Sequence, residues 1–229
     1  MKKAPVASLV VDSQSESPPQ KNLHVESISF ACGGWLQFYL FGVARGFQKY
    51  DVKIDKFVGC SAGALVAAGL CFEGDFDKTI QLCKEKIIRE AYANRWGLFR
   101  LQEYVVMALD AYCRLDRWVE LGSTEKLQIS ITTLPFFENI RAKTFESLED
   151  LRSALCASSS AWPFAALTWW RRVLCIDGGL TDFQPVVDEN TLRVSPFYFT
   201  DAEIVPSRYV PIWWCLVPPA NTETISWLY

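Results

Sequence analysis

The sequence has one histidine, His24, in 229 residues, and it stands ahead of the first recognisable strand. That scarcity removes the Ser…Asp…His order of the common α/β-hydrolases, in which the histidine follows the nucleophile. No CxxC pair occurs either, so neither a zinc site nor a redox motif is readable, and no metal or cofactor is expected. Basic charge is not in excess: 23 Lys and Arg against 26 Asp and Glu give a net charge of −3. Without a basic stripe, nucleic acid is not the expected partner. Long apolar runs are missing as well. The longest, Phe57 to Phe72, is shorter than the roughly 18 to 20 residues of a spanning helix and is rich in Gly and Ala, so no transmembrane segment is expected.

What is present is a chain half apolar by residue, enough for one large core and one domain. Eight cysteines are spread along it, and Cys60, Cys71, Cys175 and Cys215 lie inside apolar runs, where reduced thiols fit. A reducing compartment is therefore expected rather than a disulfide framework. The start, MKKAPVASLVV, is broken by Asp12 and followed by a Ser/Gln/Pro-rich stretch, which reads as a disordered leader rather than a signal peptide.

Strands are expected at Ser27 to Gly34, Lys53 to Gly59, Leu127 to Pro135, Arg172 to Asp177 and Thr191 to Phe197, with ENIRAKTF as a hairpin partner of the third. Helices are expected over Ala62 to Cys71, from an Asp75 cap to about Asn94, over Leu98 to Leu115, and from Ser147 to about Ser158. Alternation of the two kinds predicts an α/β layered domain with a largely parallel sheet. The Pro- and Trp-rich tail from Asp201 has no readable assignment.

Gly59-Cys60-Ser61-Ala62-Gly63 matches GxSxG, placed after an expected strand and before an expected helix. A sharp strand-to-helix turn needs small neighbours on both sides of an exposed serine, and the helix start behind it brings backbone N–H groups and a positive dipole end. With no usable histidine, the candidate base is Asp177, which closes a strand and is followed by Gly178 and Gly179. A free aspartate, with a pKa near 3.9, is a weak base, but desolvation and a well-held oxyanion make it sufficient. The Gly33-Gly34 pair after the first strand supplies a loop whose free N–H groups suit an anion.

FACGGWLQFYLFGV, FVGCSAGAL, ASSSAWPF and DGGLTDFQPV, in this order, resemble the patatin-like phospholipases, and VSPF is closest to their eukaryotic branch that includes triacylglycerol lipases. The likeness covers about Ser27 to Phe199. It implies a three-layer patatin-like domain with a mainly parallel central sheet flanked by helices. The chain is expected to divide into a disordered leader over 1–25, a patatin-like catalytic domain over 26–200 and a C-terminal extension packing on it over 201–229. The likeness further implies a serine–aspartate dyad that cleaves acyl esters of lipids without metal. Ser61 would be the nucleophile and Asp177 the base; Gly33, Gly34 and the Trp35 amide would hold the oxyanion, and Gly59, Gly63, Gly178 and Gly179 would shape the turns. The chain departs from the family at Cys32 and Gln37, where glycine is usual.

Trp162, TWWRR at 168–172 and IWWC at 212–215 suggest a face for a lipid surface, with Trp169 and Trp170 the expected contacts, although such rings also fill cores and dimer contacts. The expected partner is thus a lipid substrate at a membrane or lipid-droplet surface, and the expected location cytoplasmic and peripheral. Two other readings stay open: an inactive member of the fold that binds lipid or protein, and a small-ester hydrolase with no membrane partner.

Overall fold

The computed structural model describes residues 23–93, 95–112 and 117–229. Of the expected leader, residues 1–22 lie outside that range. Its last part does not belong to a leader, because β1 (His24–Phe30) already begins there, three residues before the expected strand, by pairing His24 with Lys53.

The chain continues through α1 (Gln37–Lys49), β2 (Lys53–Cys60) and α2 (Ala62–Cys71). Then come α3 (Phe76–Leu82), α4 (Ile88–Ala93), α5 (Leu101–Tyr112) and α6 (Trp118–Leu121). β3 (Leu127–Thr133), β4 (Glu138–Ala142), α7 (Leu148–Ser158), β5 (Thr168–Trp170), β6 (Val173–Ile176), β7 (Leu192–Val194) and α8 (Thr222–Leu228) complete it.

The protein is α/β, and its described residues form a seven-stranded sheet in the order β5-β6-β3-β2-β1-β7 with β4 also on β3. β7, β1, β2 and β3 run parallel, whereas β4, β5 and β6 are antiparallel to their neighbours, with β3–β4 and β5–β6 as hairpins and β6 joined to β3 across α7. β5 was not expected from the sequence: its three residues pair with β6 in a short hairpin that has too few positions to alternate.

Alternation along the strands sorts the two faces. Ile28, Phe30, Leu127, Ile129 and Ile131 belong to the buried apolar cluster with α2, α7 and α1. The intervening Ser27, Ser29, Ser130 and Thr132 are buried too, but each is hydrogen-bonded to the segment over 181–191 or to β4. That is how buried hydroxyls avoid a desolvation penalty.

Asp75 accepts from the Lys78 N–H and Ser147 from the Asp150 N–H, the two expected helix caps. The expected single helix after Asp75 is interrupted by a π-helical turn, Cys83–Ile87, before α4, and Asn94 lies outside the described residues. α5 is described to Tyr112, with residues 113–115 of the expected span likewise outside. After β7 the chain makes a bridge from Val194 to Ile204, a 3-10 turn over Ile212–Cys215 and then α8, whose Tyr229 hydroxyl donates to Asp77. Among the described residues no helix is long and apolar enough to cross a membrane.

Candidate active site

Three strand ends and the loops that follow them meet at the carboxyl edge of the parallel half. β2 ends at Cys60, and the chain turns at Ser61 into α2. Ser61 has φ 51° and ψ −128°, a left-handed conformation that costs a non-glycine residue on the order of 1–3 kcal/mol. The turn is tight enough that a Cβ on Gly59 would lie 2.4 Å from the Gly63 backbone, and one on Gly63 would lie 2.1 Å from the Phe30 carbonyl oxygen. Small residues are thus required where the motif has them.

Ser158 holds the strained turn from below: its hydroxyl accepts from the Ser61 N–H at 2.8 Å and donates to the Ser130 carbonyl at 2.7 Å. The neighbouring Ser160 carbonyl accepts from the Asp177 N–H at 3.2 Å, and the Thr132 hydroxyl donates to the Asp177 carbonyl at 2.8 Å. Ser158, at the end of α7, and Ser160 just beyond it therefore brace the two candidate residues, a role that their sequence position did not reveal.

Asp177 follows β6, and the Ser61 hydroxyl donates to its Oδ2 at 2.6 Å across 116 positions of sequence. Its Oδ1 accepts from the Gly179 N–H at 2.8 Å and lies 3.9 Å from the Cys32 thiol. The carboxylate is 7% exposed. Burial pushes its pKa up to about 6, against the hydrogen bonds from Ser61, Gly179 and Cys32, and no Lys or Arg takes part among the described residues. Gly178 and Gly179 sit where side chains cannot: a Cβ would come within 2.1 Å of the Ser130 carbonyl oxygen at the first and 2.7 Å of the Cys32 sulfur at the second.

The Gly33-Gly34-Trp35 loop lies against the same space. Gly34 has φ +51°, which favours glycine, and a Cβ there would lie 2.1 Å from the Cys215 carbonyl oxygen. Cys32 N–H donates to Phe183 O at 2.9 Å and fixes the loop's start. The N–H groups of Gly33, Gly34 and Trp35 have no acceptor among the described residues.

Ser61, Asp177, Gly33, Gly34, Trp35 and Gly179 line one cavity of about 290 Å³. Gly59, Gly63 and Gly178 stay behind its wall as packing positions. Leu101, Ala161, Phe164, Ile176, Cys215 and Leu216 also line it, and of these only Ala161 and Phe164 fall inside a motif quoted for its resemblance. His24 is at the other end of β1, roughly 20 Å away by strand rise, paired with Asp55 at 2.9 Å.

The expected Trp169–Trp170 surface pair is not a pair. Trp170 is 5% exposed and donates its indole N–H to Asp150 at 2.9 Å, with the Arg171 guanidinium 4.6 Å from its ring, so it is a core residue. Trp169 is exposed but does not line the cavity, whereas Trp162, 68% exposed, does.

A model of the patatin-like phospholipase family matches residues 28–188. Human 1-acylglycerol-3-phosphate O-acyltransferase PNPLA3 is 29% identical over 184 residues, 75% of this chain and 37% of that protein. Human patatin-like phospholipase domain-containing protein 4 is 30% identical over 186 residues, 75% of this chain and 71% of the other. Human omega-hydroxyceramide transacylase is 28% identical, with 69% of this chain covering 31% of it. The chain therefore spans well under half the length of the two transferases. Among solved structures, VipD from Legionella pneumophila is similar with a TM-score of 0.47 at 14% identity, over 81% of this chain and 52% of that one.

Proposed function

The chain belongs to the patatin-like phospholipase family, and from that membership we propose that it cleaves carboxylic esters of phospholipids or glycerides through a Ser61–Asp177 dyad. The observation that carries the reading is the 2.6 Å hydrogen bond from a strained serine hydroxyl to a buried carboxylate that has no cation beside it among the described residues.

In this mechanism the Ser61 proton passes to Asp177 Oδ2 as Oγ bonds to the ester carbonyl carbon. The carbonyl oxygen takes the negative charge and is held by the N–H groups of Gly33, Gly34 and Trp35, with the positive end of α2 behind Ser61. Collapse of the tetrahedral intermediate expels the alcohol, which takes the proton back from Asp177 and leaves Ser61 acylated. Water, activated by the same carboxylate, then releases the acid. Relatives named for acyl transfer suggest a second alcohol as an alternative acceptor, so product analysis should count transferred as well as released acyl groups.

Cys32, where the family usually has glycine, leaves the dyad contact in place: its thiol lies 3.9 Å from Asp177 Oδ1 without separating the carboxylate from Ser61. Gln37 is not among the residues lining the cavity. Access from a lipid surface is supported by the apolar mouth: Trp162, Leu180 and Leu216 line the cavity and are exposed. Phe183, Phe197 and Phe199 continue it as a chain of ring contacts at 5.5 and 5.7 Å. The exposed Trp162 in that rim supports peripheral association with a membrane or droplet surface, since Trp rings favour the interface.

The test is release of fatty acid from mixed vesicles by the wild type and by Ser61→Ala, whose rate should fall on the order of 10⁴-fold or more. A folded wild type with no acyl product, released or transferred, from any lipid class would return the binding role to first place.

A further inference from the structure

A second, smaller space lies behind the wall of the Ser61 cavity. Its lining includes Leu65 of α2, Phe76 and Thr79 of α3, Cys83 and Ile87 of the π-helical turn, and Val105 and Ala108 of α5, and its volume is about 50 Å³. The two spaces share Trp35 and Leu101 as a partition. Trp35 is buried, and its ring lies 6.2 Å from that of Tyr104 and 6.4 Å from that of Phe38.

Two features of the walls are unusual for simple core. The π-helical turn puts an extra residue into the helix between α3 and α4, a distortion often found at functional sites, and its Cys83 and Ile87 face this space. On α5, the Tyr104 hydroxyl is buried without a partner among the described residues. A closed packing that strands a polar group has the least to lose by moving. Close-packed interiors otherwise leave few voids larger than a water molecule.

We propose that this space receives the distal end of the substrate's acyl chain, with Trp35 and Leu101 as the partition that the chain passes. The proposal rests on the ester-hydrolase reading above and deepens it. At about 10–15 Å³ per water-sized probe, and with a methylene of similar size, the space takes roughly three or four methylenes without enlargement. Carbons nearer the ester lie in the Ser61 cavity, and the polar head remains at the exposed mouth. Chain length is then read by the inner space and not at the rim.

Val105→Phe fills the inner space from α5. The measurement is kcat/KM for p-nitrophenyl palmitate divided by that for p-nitrophenyl butyrate. At about fourfold per methylene displaced, three or four methylenes should lower the ratio on the order of 100-fold in the variant. If Val105→Phe does not fold, Ala108→Phe fills the same space and reads the same ratio. A parallel arm uses the Ser61→Ala protein and a fluorescent polyene fatty acid, which it should bind and which the double variant with Val105→Phe should bind far more weakly.

Wild-type ester turnover with an unchanged ratio in a folded space-filling variant overturns the proposal and leaves the hydrolase reading standing. Fatty-acid binding that depends on Val105, in a wild type that turns over neither ester, sinks the hydrolase reading and keeps the chain site. Fatty-acid binding that is absent, or indifferent to Val105→Phe, overturns the proposal.

Discussion

Asp150, in the first turn of α7, and Asp177, after β6, are two carboxylates drawn out of water and well supplied with donors. Asp150 accepts from the Trp170 indole, the Glu146 N–H and the Arg171 guanidinium, the last at 2.6 Å. Asp177 accepts from a hydroxyl and a backbone N–H, with a thiol beyond. Burial raises the pKa of both; at Asp150 Arg171 and the other donors outweigh it and the group stays below its ordinary value, while at Asp177 burial wins. A cation turns a buried carboxylate into a structural tie, and its absence leaves one whose proton affinity suits exchange near neutral pH.

The largest effect that tests this contrast is on turnover. Asp177→Asn should lower kcat/KM by roughly 10²–10⁴-fold, the usual worth of a positioned acid–base group. Asp150→Asn, in a folded protein, should leave it where it was. Comparable losses in both variants would mean that Asp177 acts through the fold.

Next comes pH. A base held near 6 must be deprotonated to act, so kcat/KM should climb about tenfold per unit below about pH 6 and level off above it. A flat profile between pH 4.5 and 8 contradicts the assignment.

Stability should then shift in opposite directions. The folded Asp177 binds its proton more tightly than the unfolded chain does, so its contribution is full below about pH 3.8 and is lost as the pH rises through about 6. Asp177→Asn should therefore stabilise the protein at pH 8 by up to about 3 kcal/mol, with the gain vanishing toward pH 4. Asp150 is depressed instead, so its contribution is present above its unfolded pKa and fades as the pH falls. Asp150→Asn should cost on the order of 2 kcal/mol at pH 8. Urea unfolding of both variants at the two pH values reads the signs.

The last comparison concerns two tryptophans, Trp162 at the mouth of the cavity that Asp177 lines and Trp170 bonded to Asp150. Trp162→Ala should weaken binding to phosphatidylcholine vesicles severalfold with stability little changed. Trp170→Ala, by removing a buried ring, should lower the unfolding midpoint and leave vesicle binding of the folded fraction intact. Reversal of that pattern would move the lipid face from the cavity mouth to β5.

Legibility followed the range over which each feature is encoded. The Ala62–Cys71 helix and the caps at Asp75 and Ser147 were readable because small residues and capping side chains act within a few positions. The π-helical turn was not, since Ile80, Cys83, Ile87 and Ala91 fit regular helical spacing and the extra residue becomes visible only in the backbone bonds. TWWRR misled because a ring beside a cation has the same composition at an interface and in a buried cluster, and only the place of Asp150 separates them. The tail offered no periodicity, yet Cys215 and Leu216 reach the cavity wall.

By itself the sequence determined the chemistry on offer: a serine in a turn that only small neighbours permit, an aspartate at a strand end, a glycine loop, and one histidine too early in the chain to serve. Tertiary structure alone decided that the serine and the aspartate touch, that Ser158 and Ser160 brace them, and that among the described residues no cation accompanies Asp177. The reason is physical. Turn sterics are local and can be read from adjacent residues, whereas burial and charge pairing depend on which distant segments the sheet brings to the same edge.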